Sequence, residues 1–261
     1  MSISDWFQKY QSGTPITLLT AYDAAFARLL EMADIDGILV GDSLRHTFYG
    51  DTTTVTATMA EMLYHTKAVR NGAKNAFIIA DMPFMSYHTS IEESLKNASQ
   101  FIQAGANAVK CETRAIHVST IDRMIKEGIP VMAHIGLQPQ YLNESGSYNV
   151  QGKTDDQQKQ LLDLATSLAD VGTFSIVLEK LASSVAKKIT TQINCPTIGI
   201  GAGPHCSGQV LVTNDLLGLT PNFKPKFLKQ YLDGEQLILN ALKSFKTEVE
   251  TNQFPTSDHG Y

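Results

Sequence analysis

The sequence predicts an α/β fold, a single (β/α)8 TIM barrel with additional terminal helices. Short, nearly continuous apolar runs alternate with longer amphipathic stretches along the whole chain, and neither a linker nor an internal repeat interrupts them. Runs without a polar face are typical of parallel strands covered by helices on the outside of a sheet. The length of 261 residues also suits one such barrel.

Eight apolar runs of five or six residues are the predicted strands. They are Ile16–Thr20, Gly37–Asp42, Ala76–Asp81, Ala108–Glu112, Pro130–His134, Phe174–Glu179, Pro196–Ile200 and Gln209–Thr213. Eight strands separated by helices favour a closed barrel, although this spacing leaves an open, doubly wound sheet as the alternative.

The segments between the runs carry apolar residues at helical spacing and are predicted as helices. The clearest are Ala24–Ala33, Met59–Val69, Ser90–Ala104, Thr154–Val171 and Ser183–Thr191. Long loops are expected at Arg45–Thr58 and Leu137–Lys153, both after strands, where barrel enzymes carry function. We interpret residues 1–261 as one barrel domain, with 220–261 as a C-terminal helical and tail extension.

Composition excludes several classes of protein. The net charge of −5 provides no basic field for nucleic acid. The three cysteines, Cys111, Cys195 and Cys206, show no C-x-x-C spacing, which argues for a reducing compartment. Neither a signal peptide nor an apolar run of about 18 residues is evident. We therefore expect a cytoplasmic protein that binds neither nucleic acid nor membrane.

Ionisable residues stand at or near the ends of five predicted strands: Asp42, Asp81, Lys110 with Glu112, His134 and Glu179. Charged residues often follow strands simply because the chain returns to solvent. In a barrel, however, these strand ends converge on one mouth, where active sites form. Four carboxylates around one mouth repel each other unless a cation offsets them, so the pattern indicates a metal site.

Asp42, Asp81 and Glu112 are the candidate metal ligands. Carboxylate oxygens are hard donors and no Cys/His cluster competes, so Mg²⁺ is favoured over Zn²⁺. A small 2-oxo acid suits such a site, because its carboxylate and keto oxygens chelate a metal that then acidifies the adjacent C–H.

The other ionisable residues suggest acid–base and binding roles. Glu179 ends a strongly apolar run, which favours a general base, with metal ligation or helix capping as alternatives. Lys110 lies two positions before Glu112 on the same strand face. We interpret it as a clamp for substrate oxygen, with a Schiff-base lysine as the alternative. His134 is a hydrogen-bond donor to substrate or a structural histidine. Ser43 is placed to hydrogen-bond the substrate.

A glycine-rich stretch, Gly199–Gly203, follows the seventh run. Such loops bind phosphate in many barrels, but glycines also permit tight strand-to-helix turns. Both interpretations remain open on the residues alone.

A series of motifs spans almost the whole chain. They are Thr20–Asp23, Leu39–Leu44, Ala80–Tyr87, Ala108–Glu112, Gly128–Leu137, Val150–Lys153, Ile176–Glu179, Pro196–Pro204, Gly208–Val212, Asp215–Gly218 and the tail Phe254–Pro255 ahead of Asp258–His259. In this order and combination they resemble the ketopantoate hydroxymethyltransferase family.

The resemblance implies transfer of a hydroxymethyl group from 5,10-methylenetetrahydrofolate, the co-substrate, to 3-methyl-2-oxobutanoate in pantothenate biosynthesis. It implies a place in the phosphoenolpyruvate mutase and isocitrate lyase superfamily, one Mg²⁺ per subunit and a homo-oligomer, typically a decamer with exchanged terminal helices. It assigns Asp42, Asp81 and Glu112 to the metal, Ser43, Lys110 and His134 to substrate contacts together with Asp42 and Asp81, and Glu179 to the general base. It argues against phosphate at Gly199–Gly203, because neither oxo acid carries phosphate.

Two positions depart from the family pattern. Arg45 stands where the family usually has glycine, and Thr113–Arg114 replaces a usual Gly-Gly pair after Glu112. The arginines could meet the polyglutamyl tail of folate, pair with nearby acids or mark altered activity. Two rival functions remain: another 2-oxo acid lyase or mutase of the same superfamily, and a non-catalytic barrel scaffold. Such lyases often carry a cysteine in a flexible loop, whereas Cys111 lies in a predicted strand.

Overall fold

The computed structural model describes residues 1–145 and 149–261. The chain forms two compact units, Met1–Val212 and Thr213–Tyr261. In the first unit eight parallel strands close into a barrel in chain order, with β8 paired to β1. The predicted fold class is confirmed, and the open-sheet alternative is wrong.

All eight predicted strands are present. They are β1 Ile16–Thr20, β2 Gly37–Val40, β3 Ile78–Asp81, β4 Ala108–Glu112, β5 Val131–Gly136, β6 Ser175–Glu179, β7 Thr197–Ile200 and β8 Gly208–Leu211. Their ends differ from the predicted ones by two residues at most.

The helices of the first unit surround the barrel strands in sequence. They are α1 Ile3–Ser12, α2 Ala24–Met32, α3 Leu44–Thr47, α4 Met59–Gly72, α5 Ile91–Gln103, α6 Val118–Lys126, α7 Leu142–Ser145, α8 Asp155–Asp170 and α9 Ser183–Gln192, with 3₁₀ turns at Ala115–His117 and Pro139–Tyr141. The five helices predicted individually are confirmed. Sequence reasoning did not single out α1 or α6. Of the long loop predicted at Leu137–Lys153, residues 146–148 lie outside the described residues.

Side-chain caps start several helices directly after loops at the carboxyl ends of the strands. The Asp23 carboxylate accepts the backbone N–H of Phe26 at 2.9 Å and begins α2. Thr58 and Glu61 form a reciprocal capping box at the start of α4. Each such cap stabilises a helix by about 1 kcal/mol, because it satisfies N–H groups that have no partner inside the helix. The caps thus fix where the loops at the mouth end.

Apolar side chains fill the half of the barrel interior that lies away from the mouth. They include Ile16, Leu18, Leu39, Phe77, Ile79, Ala108, Met132, Phe174, Val177, Ile198 and Val210. Trp6 of α1 is fully buried and packs its ring 5.5 Å from Phe77 and 5.7 Å from Phe174. Strand residues of opposite parity, such as Cys111, point outward into the core beneath the helices. The filled interior leaves the opposite end of the barrel as the place for polar side chains.

The second unit contains α10 Thr213–Leu216, α11 Gly234–Glu250 and a 3₁₀ turn at Ser257–His259. Several large apolar side chains of α11 are exposed, among them Leu237, Ile238, Leu242 and Phe245. The single-domain interpretation, with an extension from residue 220, remains a prediction. Among the described residues, no helix combines the length and apolar character required to cross a membrane.

Candidate active site

The strand register brings the predicted site residues together at the carboxyl end of the barrel. Asp81 at the end of β3 is the cross-strand neighbour of Lys110 on β4. Glu112, two residues further along β4, is the neighbour of His134 on β5. Glu179 ends β6, so all of these side chains belong to one mouth. The expected alternation along β4 is confirmed, because Lys110 and Glu112 share the mouth while the residue between them points outward.

Asp42 and Asp81 are directly linked. Asp42 follows β2, and its backbone N–H donates to Oδ2 of Asp81 at 3.0 Å. The other oxygen of Asp81, Oδ1, lies 2.9 Å from Nζ of Lys110 in a buried ion pair. The carboxylate of Asp81 therefore connects the turn after β2 to the ammonium group of Lys110.

Lys110 also leads to His134 and Glu179. Its Nζ lies 3.4 Å from Nδ1 of His134, and Nε2 of the same ring lies 3.3 Å from Oε2 of Glu179. An ammonium group has no acceptor, so Nδ1 of a neutral ring accepts and the ring proton sits on Nε2, facing Glu179. Burial, followed by the charge of Lys110, lowers the pKa of His134, which favours this neutral form.

The turn after β2 brings Ser43 near these groups. The hydroxyls of Ser43 and Tyr22 are 2.9 Å apart. A Cβ atom at Gly41 would lie 2.7 Å from Oγ of Ser43 and 3.5 Å from Oδ2 of Asp81. A side chain at position 41 would therefore displace the hydroxyl of Ser43.

Sequence reasoning missed Gln140, which joins two of the carboxylates from the loop after β5. Its Nε2 donates to Oδ2 of Asp42 at 2.9 Å, and its backbone N–H donates to Oε2 of Glu112 at 3.0 Å. The hydroxyl of Tyr87 lies 3.1 Å from Oε1 of Gln140. An uncharged residue far along the chain gave no electrostatic signal in the sequence.

Burial dominates the electrostatics of the mouth. It raises the pKa of Asp42, raises the pKa of Asp81 to about 6, and raises that of Glu112 well above its usual value. The charge of Asp42 adds to the shift at Asp81 and Glu112. At Lys110 burial opposes the ammonium charge, but the carboxylates, Asp81 first, outweigh it and raise the pKa. The mouth therefore favours added positive charge.

The donor set fits a hard divalent cation in its chemistry. Asp42, Asp81 and Glu112 are 6%, 2% and 1% exposed, and all three offer carboxylate oxygen. Within residues 1–145 and 149–261, however, no three His, Cys, Asp or Glu side chains are gathered as a ready metal site. The carboxylates instead engage Lys110 and Gln140, so metal ligation remains a proposal that rests on donor type, burial and mutual repulsion.

Glycines after β7 are explained by backbone geometry. Gly201 and Gly203 have φ angles of 63° and 82°, in the left-handed region that favours glycine. A Cβ atom at Gly203 would also lie 2.2 Å from Oγ of Ser183 at the start of α9. The backbone conformation of the loop between β7 and β8, together with its close approach to α9, accounts for these residues without a phosphate.

Comparisons with known proteins decide the family. The family model described as ketopantoate hydroxymethyltransferase matches residues 1–257. The chain belongs to this family. A protein of Thermosipho melanesiensis named 3-methyl-2-oxobutanoate hydroxymethyltransferase is 51% identical over 246 residues, 94% of this chain and 93% of the relative. One of the same name from Pseudothermotoga lettingae is 49% identical over 254 residues, 97% and 96% of the two chains.

Solved structures with the same fold are much more distant in sequence. A phosphonopyruvate hydrolase has a TM-score of 0.65 at 13% identity, covering 99% of this chain and 90% of its own. The same kind of enzyme in complex with oxalate and Mg²⁺ has a TM-score of 0.62 at 12% identity, covering 95% and 99%. These similarities show the barrel fold alone. Family membership rests on the match of the family model to residues 1–257 and on the relatives near 50% identity.

The two arginines that depart from the family pattern both pair with acids. Arg45 donates to Oδ2 of Asp51 from Nε at 2.7 Å and to Oε1 of Glu61 from Nη1 at 2.8 Å. Its side chain is only 13% exposed and lies over the ring of Tyr49. The guanidinium of Arg45 therefore fastens the loop after β2 to the start of α4.

Arg114 makes a similar arrangement after β4. Its Nη2 lies 2.7 Å from Oε2 of Glu144, and its guanidinium stacks 3.7 Å from the centroid of the Tyr141 ring. A cavity of about 570 Å³ opens beside it, lined by Arg114 and Thr113 and reaching Val118 of α6 and Leu161 of α8. The pairing with acids that we listed as one alternative is thus observed at both arginines.

Histidine and aromatic rings pack together at the rim beside Glu112. His88 lies 4.1 Å from the Tyr87 ring centroid and 5.0 Å from that of His117, and its Nε2 is 2.8 Å from the hydroxyl of Tyr141. Burial first, and then His117, lower the pKa of His88 to about 4 from a usual 6.5. The folded protein therefore keeps this ring neutral in mildly acidic solution.

The His88 cluster generates a prediction about acid stability. Between pH 6.5 and pH 4 the unfolded chain binds a proton at His88 that the folded chain does not, so stability falls as the pH decreases through this window. The variant His88→Phe should lose less free energy of unfolding than the parent between pH 7 and pH 4. Urea unfolding in chelator at a series of pH values measures this, and identical pH slopes would contradict the neutral buried ring.

Proposed function

We propose that the protein transfers a hydroxymethyl group from 5,10-methylenetetrahydrofolate to 3-methyl-2-oxobutanoate and forms ketopantoate, an early step of pantothenate biosynthesis. Family membership over residues 1–257 and the names of relatives near 50% identity support it. The observation that carries it is the buried acidic mouth, where Lys110 and His134 connect Asp81 to Glu179. Such a mouth suits a small anionic oxo acid bound through a cation.

We further propose that Asp42, Asp81 and Glu112 hold one Mg²⁺ per subunit. Their burial and mutual repulsion support this, because a divalent cation would offset charges that one lysine cannot balance. When bound, the metal would supply Lewis acidity to the keto oxygen of the substrate and so acidify its C3–H. The 2-oxo acid carboxylate adds a further oxygen donor of the kind that Mg²⁺ prefers.

Lys110, His134 and Ser43 are the proposed substrate contacts, with Asp42 and Asp81. The ammonium of Lys110 is fixed by Asp81 and provides positive charge for substrate oxygen. The ion pair supports a clamp, because a Schiff-base role would require a neutral amine and the surrounding carboxylates disfavour one. The Ser43 hydroxyl lies on the turn after β2, next to Asp42, and contacts the hydroxyl of Tyr22.

Glu179 is the proposed general base. Its side chain is 22% exposed, against 2% for Glu112 and 3% for Asp81, so an incoming substrate reaches it more readily. Its carboxylate would take the C3 proton of the oxo acid, and the resulting enolate carbon would form the new bond to the one-carbon unit. Water supplies the hydroxyl oxygen, and tetrahydrofolate leaves.

Cytoplasmic location and self-association complete the proposal. All three cysteines are free, which suits a reducing compartment. On α11, Ile238, Leu242 and Phe245 recur at helical spacing with 51%, 61% and 57% of their surface exposed. An apolar helix face of this kind favours packing against another copy, and a decamer is the expected size.

The central experiment is a metal-dependent assay of the purified protein. With 3-methyl-2-oxobutanoate, 5,10-methylenetetrahydrofolate and Mg²⁺ it should form ketopantoate, because all groups that the reaction requires are supplied. Treatment with EDTA should abolish product formation, and added Mg²⁺ should restore it. Product is measured by mass spectrometry. Failure to form product from both substrates with metal present would refute the assignment.

The variant Glu179→Gln tests the base. Exchange of the C3 proton of 3-methyl-2-oxobutanoate in deuterated buffer should slow by about 10²-fold or more, because the amide cannot accept that proton. Binding of the oxo acid, measured by calorimetry, should persist. Glu92→Gln, on the exposed start of α5, is the matched control and should exchange like the parent. Undiminished exchange in Glu179→Gln would remove Glu179 from the base role.

Self-association through α11 is tested by charge on its apolar face. The double variant Leu242→Glu with Phe245→Glu should form a smaller assembly than the parent, because the exposed apolar positions become charged. Light scattering after gel filtration gives the mass. Lys243→Glu, on the same helix, is the control and should retain the parental mass. A monomeric parent at micromolar concentration would contradict the oligomer.

A further inference from the structure

Gln140 is the buried uncharged polar residue that contacts both Asp42 and Glu112. It lies in the 3₁₀ turn Pro139–Tyr141 after β5 and is only 3% exposed. A buried amide must have hydrogen-bond partners, since each unsatisfied donor or acceptor costs about 1–3 kcal/mol. The identity of those partners therefore shows what the residue does.

Both donor groups of Gln140 point at the acidic mouth. The side-chain Nε2 donates to Oδ2 of Asp42 at 2.9 Å and to the carbonyl oxygen of Met82 at 3.1 Å, which accounts for its two hydrogens. The backbone N–H donates to Oε2 of Glu112 at 3.0 Å. One residue thus holds carboxylates that come from β4 and from the turn after β2.

Tyr87 lies against the oxygen of the Gln140 amide. Its hydroxyl lies 3.0 Å from the carbonyl oxygen of Glu112 and 3.1 Å from Oε1 of Gln140. Because the carboxylate oxygen Oδ2 of Asp42 and the carbonyl oxygen of Met82 only accept, the –NH₂ group of Gln140 must face them, and Oε1 then faces the tyrosine hydroxyl. A flipped amide would place two oxygens against each other at the Asp42 contact.

We propose that Gln140 is a positioning residue that sets the orientation of Asp42 and Glu112 for a divalent cation. It occupies one oxygen of each carboxylate and leaves Oδ1 of Asp42 and Oε1 of Glu112 without a hydrogen bond from Gln140. The inference rests on the metal site of the proposed function. It adds Gln140 as a residue that orients two of the ligands without being a ligand itself.

The neutrality of the amide is essential to this role. A lysine at position 140 would balance one carboxylate by itself and would repel an incoming cation. A glutamate would add a further negative charge beside Asp42 and Glu112. An amide donates hydrogen bonds without changing the charge, so the carboxylates are held while their attraction for a cation is preserved.

Gln140→Met tests this, since methionine keeps the length and loses both side-chain donors. Mn²⁺ replaces Mg²⁺ as the probe, and electron paramagnetic resonance of free Mn²⁺ gives the dissociation constant without turnover. The variant should bind Mn²⁺ about 10- to 100-fold more weakly than the parent. Its kcat at saturating Mg²⁺ should also fall, because excess metal does not restore the orientation of Asp42.

Gln138→Met is the matched control. Gln138 belongs to the same loop, and its Nε2 donates only to backbone carbonyls, those of Thr113 at 3.0 Å and His134 at 3.2 Å. Loss of its amide should leave Mn²⁺ affinity within about twofold of the parent. If Gln138→Met weakens Mn²⁺ binding as much as Gln140→Met, the effect belongs to the loop and the inference is overturned.

Tyr87→Phe provides a second test away from the loop. It removes the hydroxyl that contacts Oε1 of Gln140, so the amide is held less firmly and Mn²⁺ binding should weaken in the same direction, by a smaller factor. Circular dichroism checks that each variant is folded. If Gln140→Met does not fold, Tyr87→Phe takes its place as the test. If a folded Gln140→Met binds Mn²⁺ as tightly as the parent, the role of Gln140 is overturned, while the proposed metal site is not. The same holds for Tyr87→Phe when that variant serves as the test. A parent that binds no Mn²⁺ overturns the proposed metal site itself.

Discussion

Concentrated negative charge in a buried space is the constraint on which the rest of the mouth depends. Asp42, Asp81 and Glu112 are almost completely buried, and removal from water disfavours each charge by several kcal/mol unless partners compensate. The structure supplies three kinds of partner: the ammonium of Lys110, the amide of Gln140 and the backbone N–H of Asp42 itself. These partners hold the acids in place but do not balance their charge.

The barrel makes this arrangement rigid because register, not loop conformation, places most of the acids. Asp81 and Lys110 are neighbours in the ladder between β3 and β4, as Glu112 and His134 are between β4 and β5. A shift of one residue in either strand would turn these side chains outward into the apolar layer beneath the helices. Trp6 and the apolar interior oppose such a shift, because the packed half of the barrel fits only one register.

Arg45 and Arg114 add little net charge to the mouth. Arg45 is matched by Asp51 and Glu61, and Arg114 by Glu144. Each arginine is paired with acidic side chains close to it. The electric field at the proposed metal site is therefore set mainly by Asp42, Asp81 and Glu112. The effect of the two arginines is to link the loops after β2 and β4 to neighbouring acidic residues.

The sequence by itself determined the barrel and the acidic residues of its mouth. Eight apolar runs define eight strands, and five of them carry an ionisable residue at or near the end, where a parallel strand leaves the core. Period-2 alternation was enough to place Lys110 and Glu112 on one face.

Only the tertiary structure decided how these residues are connected. Gln140 reaches Asp42 across 98 positions of sequence, and an uncharged amide in a polar loop carries no pattern that marks it. The acids that pair with Arg45 and Arg114 depend likewise on loop paths that hydrophobic periodicity does not encode. The physical reason is that burial patterns fix elements and faces, whereas hydrogen-bond partners depend on distances that exist only after the chain has closed.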